Sequence, residues 1–362
     1  MGNLLQDIRN NRQLWLLVFV PVLFIANQMV PQAHTVLFML SVLAIFPLAF
    51  LLSHSTEAVA SRMGDATGGL LNASLGNLTE LVIALTALRA GEYALVKASI
   101  AGAIVTNTLF MLGASFLLGG LKHRVQEFNR VNARFQASLV FVATIAILIP
   151  SAVTAADSLA MSKFTHQLSV GLSILLIIVY GFGLLFSLKT HREFFSDNEG
   201  HAGEHTPLGA ALATLAGATV LVALVSEIFV ESVQHAAVSF GMTPAFVGFI
   251  IVALVGGAAE MTSAFSGARK NRLDLSVGIA LGSAAQIALF VAPVLVLLSY
   301  VLGPAPMDLQ FWPGAVVMMF LAAMTVVLVT SNGRSTWFVG VLLLMVYVIL
   351  AMTLYLLPPQ IS

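Results

Sequence analysis

Apolar runs of about 17–25 residues, the length of a bilayer-spanning helix, recur along almost the whole chain and are separated by short polar turns. They fall roughly at 14–30, 34–54, 68–89, 93–119, 133–151, 167–188, 207–234, 243–268, 273–302, 311–330 and 335–356. The pattern predicts an all-α, polytopic membrane protein with about eleven transmembrane helices. Arg9 and Arg12 precede the first run, as in a signal peptide. A second run follows at once with no small-residue cleavage site, so the first reads as a retained span. The one long polar connection, HREFFSDNEGHAGEHTP, occupies 191–207. It divides the chain into an N-terminal extra helix (1–33), a first five-helix unit (34–190), an acidic, histidine-containing linker (191–206) and a second five-helix unit (207–362).

Composition agrees with that pattern. Hydrophobic residues make up 59% of the chain, charged residues 9%, and mean hydropathy is +0.98. A soluble domain carries roughly 25% charged residues and cannot hide this much apolar surface in one core. Soluble enzymes, disordered chains and nucleic-acid binders are excluded, and the lipid bilayer is the expected surrounding. Lys+Arg and Asp+Glu are equal at 16 each, so net charge points to no partner. With no cysteine there are no disulfides, thiolate metal sites, cysteine nucleophiles or lipidated thiols. Basic residues set the orientation. With the N-terminus in the cytoplasm, 13 of the 16 fall on the cytoplasmic side, leaving Arg89, Lys97 and Lys163 outside, and the C-terminus ends outside.

Self-comparison gives an internal repeat. GNLTE at 76–80 matches GGAAE at 256–260, an offset of 180. At that offset Arg89 matches Arg269, Gly102 matches Gly282, and Leu109-Phe110 matches Leu289-Phe290. The copies run in opposite directions across the membrane. Such inverted-topology repeats are typical of secondary transporters, which hold substrate at the repeat interface where half-helices end.

Five carboxylates lie in or at the edge of spans: Glu57, Glu80, Glu227, Glu231 and Glu260. An ionisable group at the bilayer centre costs about 2.5–3.5 kcal/mol on insertion scales. Glu80 and Glu260 are repeat equivalents, so inverted symmetry would bring them together. Two facing carboxylates suit a divalent cation; without it, desolvation and mutual repulsion favour taking up a proton. Gly76 and Gly256 each lie four residues before the glutamate and permit local unwinding. Asn77 lies three before Glu80. Asn107 and Gln286 follow the glutamates by 27 and 26 residues. Together with backbone carbonyls and water they would complete the 6–8 oxygens that calcium prefers. Ser283, Thr79 and Thr106 are weaker candidates, because hydroxyls in membrane helices bond back to the backbone. Glu57, Glu227 and Glu231 read as a proton or cation relay. The bland readings stay open beside these: glycines for close helix packing, amides as interhelical glue, outer carboxylates as solvated interface.

GNLTELVIALTALRAGEYALVKASIAGAIVTNTLFMLG (76–113) and GGAAEMTSAFSGARKNRLDLSVGIALGSAAQIALFVAP (256–293) resemble the two signature repeats of calcium/proton antiporters of the cation exchanger family, within the calcium/cation antiporter superfamily. STEAVASRMGDATGGLLNASLGN (55–77), SEIFVESV (226–233) and TPAFVGFIIVAL (243–254) extend the likeness over nearly the whole chain after the first span. The resemblance implies two inverted five-helix halves, with calcium or protons bound alternately by Glu80 and Glu260. It also implies roles for Asn107 and Gln286. The family's second motif usually has Asn and His where this chain has Gly257 and Met261. The mate of Asn77 is therefore missing, and ion choice stays open.

The expected activity is export of cytoplasmic calcium in exchange for protons by alternating access. Calcium is cargo, and no cofactor is expected. The alternatives are sodium, potassium or manganese exchanged for protons, or sodium for calcium. A cation channel would need a continuous polar pore. A membrane enzyme would need a motif such as HExxH, GxSxG or a P-loop, and none is present. Compact length points to a bacterial plasma membrane. Oligomeric state is not legible.

Overall fold

A computed structural model describes residues 12–63, 65–152, 159–194 and 207–356. Most of the linker expected at 191–206 lies outside the described residues. The helices are α1 (Gln13–Met29), α2 (His34–Ala60), α3 (Asp65–Leu75), α4 (Leu78–Arg89), α5 (Tyr93–His123), α6 (Arg130–Ala152) and α7 (Phe164–Thr190) in the first part. The second part has α8 (Leu208–Ser239), α9 (Pro244–Gly256), α10 (Ala258–Arg269), α11 (Leu273–Leu302), α12 (Pro313–Asn332) and α13 (Trp337–Leu356). Among the described residues eight helices are long and apolar enough to cross a membrane. The pair α9 and α10, bent by 58° at Gly257, is long and apolar enough to make a ninth if it counts as one broken span. The shorter α1 and the pair α3/α4 correspond to the other two apolar runs. Two short strands, β1 (Val125–Glu127) and β2 (Arg334–Thr336), pair antiparallel beside the loop that follows α5.

The repeat is visible in the backbone. The runs at 68–89 and 243–268 are each broken, the first at Gly76-Asn77 and the second at Gly257. The helices that follow start at Leu78 and Ala258, 180 residues apart. Both end in a left-handed residue of a type that tolerates it, Gly91 (φ 80°) and Asn271 (φ 60°). The same bond closes both turns: Glu92 N donates to Ala87 O and Arg272 N to Gly267 O, each at 2.9 Å. A wide π-helical turn then interrupts both α5 (Thr106–Met111) and α11 (Ile287–Val291). Such turns gather at functional sites.

Equivalent helices run in opposite directions. At the start of α5, Tyr93 Oη donates to Ala305 O at 2.6 Å, just past the end of α11. At the end of α5, Lys122 Nζ donates to Arg269 O at 3.0 Å, just before α11 begins. The packing is reciprocal. Helix α4 lies on the last third of α11, and α10 on the last third of α5. The long helices α2 and α8 lie along each other, with Phe38 and Phe229 stacked at 5.4 Å. One apolar core runs through both halves, while Phe182, Val301 and Met352 face outward as lipid-facing side chains do.

Candidate cation-binding site

The two helix breaks meet at the centre of the fold. Glu80 and Glu260 are each the third residue of the helix that starts at a break. The positive end of the helix dipole therefore lies beside each carboxylate. Glu80 packs on the opposite break: a methyl group on Gly256 would lie 3.0 Å from Glu80 Cγ and 3.4 Å from Oε1. Glu260 stands within electrostatic range of Glu80 and within hydrogen-bonding reach of Ser283. Both are half-buried.

Amides from both halves close the site. Asn107 Nδ2 donates to Ser283 Oγ at 2.8 Å, and Ser283 Oγ donates to Asn77 Oδ1 at 2.7 Å. Asn77 and Asn107 are buried. Gln286 faces the first break, with its Oε1 3.2 Å from where a methyl on Gly76 would sit. Gly257 lies against Asn107, whose Oδ1 would be 3.6 Å from a methyl there. Among the described residues several buried polar atoms have no hydrogen-bond partner: Asn107 Oδ1, Glu260 Oε2, Asn77 Nδ2 and Gln286 Nε2. An unmet buried group costs about 1–3 kcal/mol. Two of these atoms are acceptor oxygens, the chemistry a hard cation requires. Among the described residues no three His, Cys, Asp or Glu side chains converge as metal ligands. The oxygens gathered at the two breaks belong to two carboxylates and to amide side chains.

The remaining candidates separate. Thr79 is buried in the first turn of α4. Thr106 turns away from the site, its hydroxyl 3.2 Å from Tyr347 Oη. A cavity of about 440 Å³ reaches the site from the face that carries most of the basic residues. Glu57 and Asp274 line it nearer that face, and Gly76, Ser283, Gln286 and Glu260 line it within the fold; Glu80 does not. Glu227 and Glu231 line a second cavity of about 610 Å³ at the other face, with Arg89, Glu92 and His235. The three relay candidates are therefore divided between two opposite vestibules. Tyr180, Asn132 and Gln136 line the first cavity and were not expected. Two amides four residues apart at the start of an apolar run are the signal that could have found them.

This arrangement, two broken helices crossing between oppositely directed repeats, is that of an ion-carrying secondary transporter. The chain matches the sodium/calcium exchanger protein family over residues 33–189 and 210–356, and it belongs to that family. It is 38% identical to a Ca(2+)/H(+) antiporter of Aphanothece halophytica, covering 94% of this chain and 95% of the relative. It is 39% identical to the Ca(2+)/H(+) antiporter ChaA of Bacillus subtilis (strain 168), covering 96% and 100%. The solved structure of native YfkE superposes with a TM-score of 0.82 at 37% identity, covering 94% of this chain and 98% of that one. An H+/Ca2+ exchanger, CAX, shares the fold at a TM-score of 0.73 and 16% identity, over 96% and 88% of the two chains. The matching proteins are antiporters, which are secondary transporters and not enzymes.

Proposed function

We propose that the protein exports calcium from the cytoplasm in exchange for protons, with Glu80 and Glu260 binding either cargo in turn. The observation that carries this is the meeting of two repeat-equivalent glutamates at two helix breaks, with acceptor oxygens that have no donor among the described residues. Full-length relatives named Ca(2+)/H(+) antiporters support it. One calcium or two protons neutralise the pair equally, so the site can be occluded with either.

Alternating access is the second part of the reading, and the asymmetry of the halves supports it. On α5, Gly102 lies so close to Phe249 of α9 that a methyl would meet its backbone oxygen at 2.1 Å. The equivalent Gly282 on α11 stands open, its nearest neighbour Gln136 Nε2 at 3.7 Å. One route is shut and its repeat-related twin is open. With the N-terminus cytoplasmic, the open cavity faces the cytoplasm, and export ends on the far side of a bacterial plasma membrane.

The test is calcium uptake into everted vesicles or proteoliposomes, acid inside. Uptake should vanish when a protonophore collapses the gradient, and in Glu80→Gln and Glu260→Gln. Acidifying the cytoplasmic face should raise the apparent KM for calcium, because protons compete for the same oxygens. Movement of sodium, potassium or manganese in place of calcium would keep the exchanger and change its cargo, with Gly257 the residue to examine. Transport of no cation by folded protein would end this reading.

A further inference from the structure

The cytoplasmic cavity has a polar lining that the proposed exchange does not yet use. On α11, Asp274, Gly278, Gly282 and Gln286 follow at four-residue intervals and so share one face. All four line the cavity. Opposite them on α6 are Asn132 and Gln136, again four apart. A methyl on Gly278 would lie 4.0 Å from Asn132 Nδ2, and one on Gly282 lies 3.7 Å from Gln136 Nε2. The glycines leave the space into which the amides project. Asn132 Oδ1 is buried and has no hydrogen-bond partner among the described residues.

We propose that Asn132 and Gln136 are cation-path residues. They would exchange for water around the incoming ion between Asp274 at the mouth and Gln286 and Glu260 at the site. Calcium takes amide oxygens as readily as water, and a cavity of about 440 Å³ has room for on the order of ten waters. The repeat makes the assignment specific to one side. At the 180-residue offset Asn132 corresponds to Trp312 and Gln136 to Val316. Trp312 packs edge-on to Phe249 at 6.4 Å, and Val316 is buried. The outer route therefore has no amide at these positions, and the two routes are chemically unequal. The polar lining belongs to the side from which a scarce, hydrated ion must be captured.

This inference rests on the calcium/proton reading, and its test separates the two. The chain has no cysteine, so single cysteines can be placed without altering the background. Asn132→Cys and Gln136→Cys should react with a membrane-impermeant, positively charged thiol reagent from the cytoplasmic face, and calcium should slow that reaction severalfold. Val316→Cys should not react from the outer face under the same conditions. In transport, Gln136→Leu should raise the cytoplasmic KM for calcium about five- to tenfold, the scale of one lost hydrogen bond. Gln136→Asn should restore much of the loss, and Val316→Leu should leave KM unchanged. If wild type takes up no calcium, the exchange reading fails. If wild type takes up calcium while Gln136→Leu keeps its KM, or calcium leaves the thiol rates unchanged, the path assignment is overturned.

Discussion

A methyl on Gly256 would lie 3.0 Å from the Glu80 side chain, which would have to give way by a few tenths of an ångström. Gly256→Ala should push the carboxylate out of line with Glu260 and raise the KM for calcium at least tenfold while the protein still folds; uptake kinetics on purified, monodisperse protein would check this. Gly257 differs. A Cβ there would lie a tight 3.3 Å from Ala253 O and in ordinary contact, at 3.6 Å, with Asn107 Oδ1. Gly257→Asn would restore the amide that the family resemblance leads one to expect, as a mate for Asn77. It should lower the KM for calcium severalfold, measured in the same vesicles. Both positions are legible in the sequence, since each lies in a motif repeated around a glutamate. Asn132 and Gln136 leave only a weak signal, because two amides at the start of an apolar run read as interfacial until a facing helix is known to offer glycines opposite them.

At the level of elements, α5 and α11 are copies of one helix in two environments. Gly102 is pressed against the backbone of α9, whereas Gly282 faces an open cavity. Gly282→Ala, which adds a methyl alone, should therefore fit the present conformation and obstruct its mirror image. It should still bind calcium from the cytoplasmic side yet lose more than nine-tenths of its exchange rate, which equilibrium binding and flux on one preparation would separate. The two helix breaks and the two left-handed turns at Gly91 and Asn271 follow from residue types at fixed offsets, so the sequence displays them. Which copy is closed does not follow from local residue types. It depends on contacts between residues about 150 positions apart, such as Gly102 with Phe249, and local pattern does not encode these.

For the whole molecule, charge balance makes the sharpest prediction. If the glutamate pair, with about −2, takes one calcium or two protons in turn as proposed, no net charge crosses per cycle and the membrane potential does no work on it. Clamping the potential at fixed pH gradient should leave the initial uptake rate unchanged. A rate that follows the potential would mean that Glu57, Glu227 or Glu231 also carries a proton. The architecture of two oppositely directed halves is legible from the 180-residue repeat and the distribution of basic residues. The division of Glu57 from Glu227 and Glu231 follows from the same alternation, which puts Glu57 at the cytoplasmic end of its span and the other two toward the far end of theirs; the cavities they line depend on how the helices pack.

The reciprocal packing of α4 on α11 and of α10 on α5 has a consequence for how the chain can be cut. Each half contributes one glutamate and buries the helix that carries it against the other half. Neither half alone holds both glutamates. The molecule is in effect a dimer translated as one polypeptide. Its two subunits have been free to diverge, so that one doorway could acquire amides while its twin kept a tryptophan and a valine.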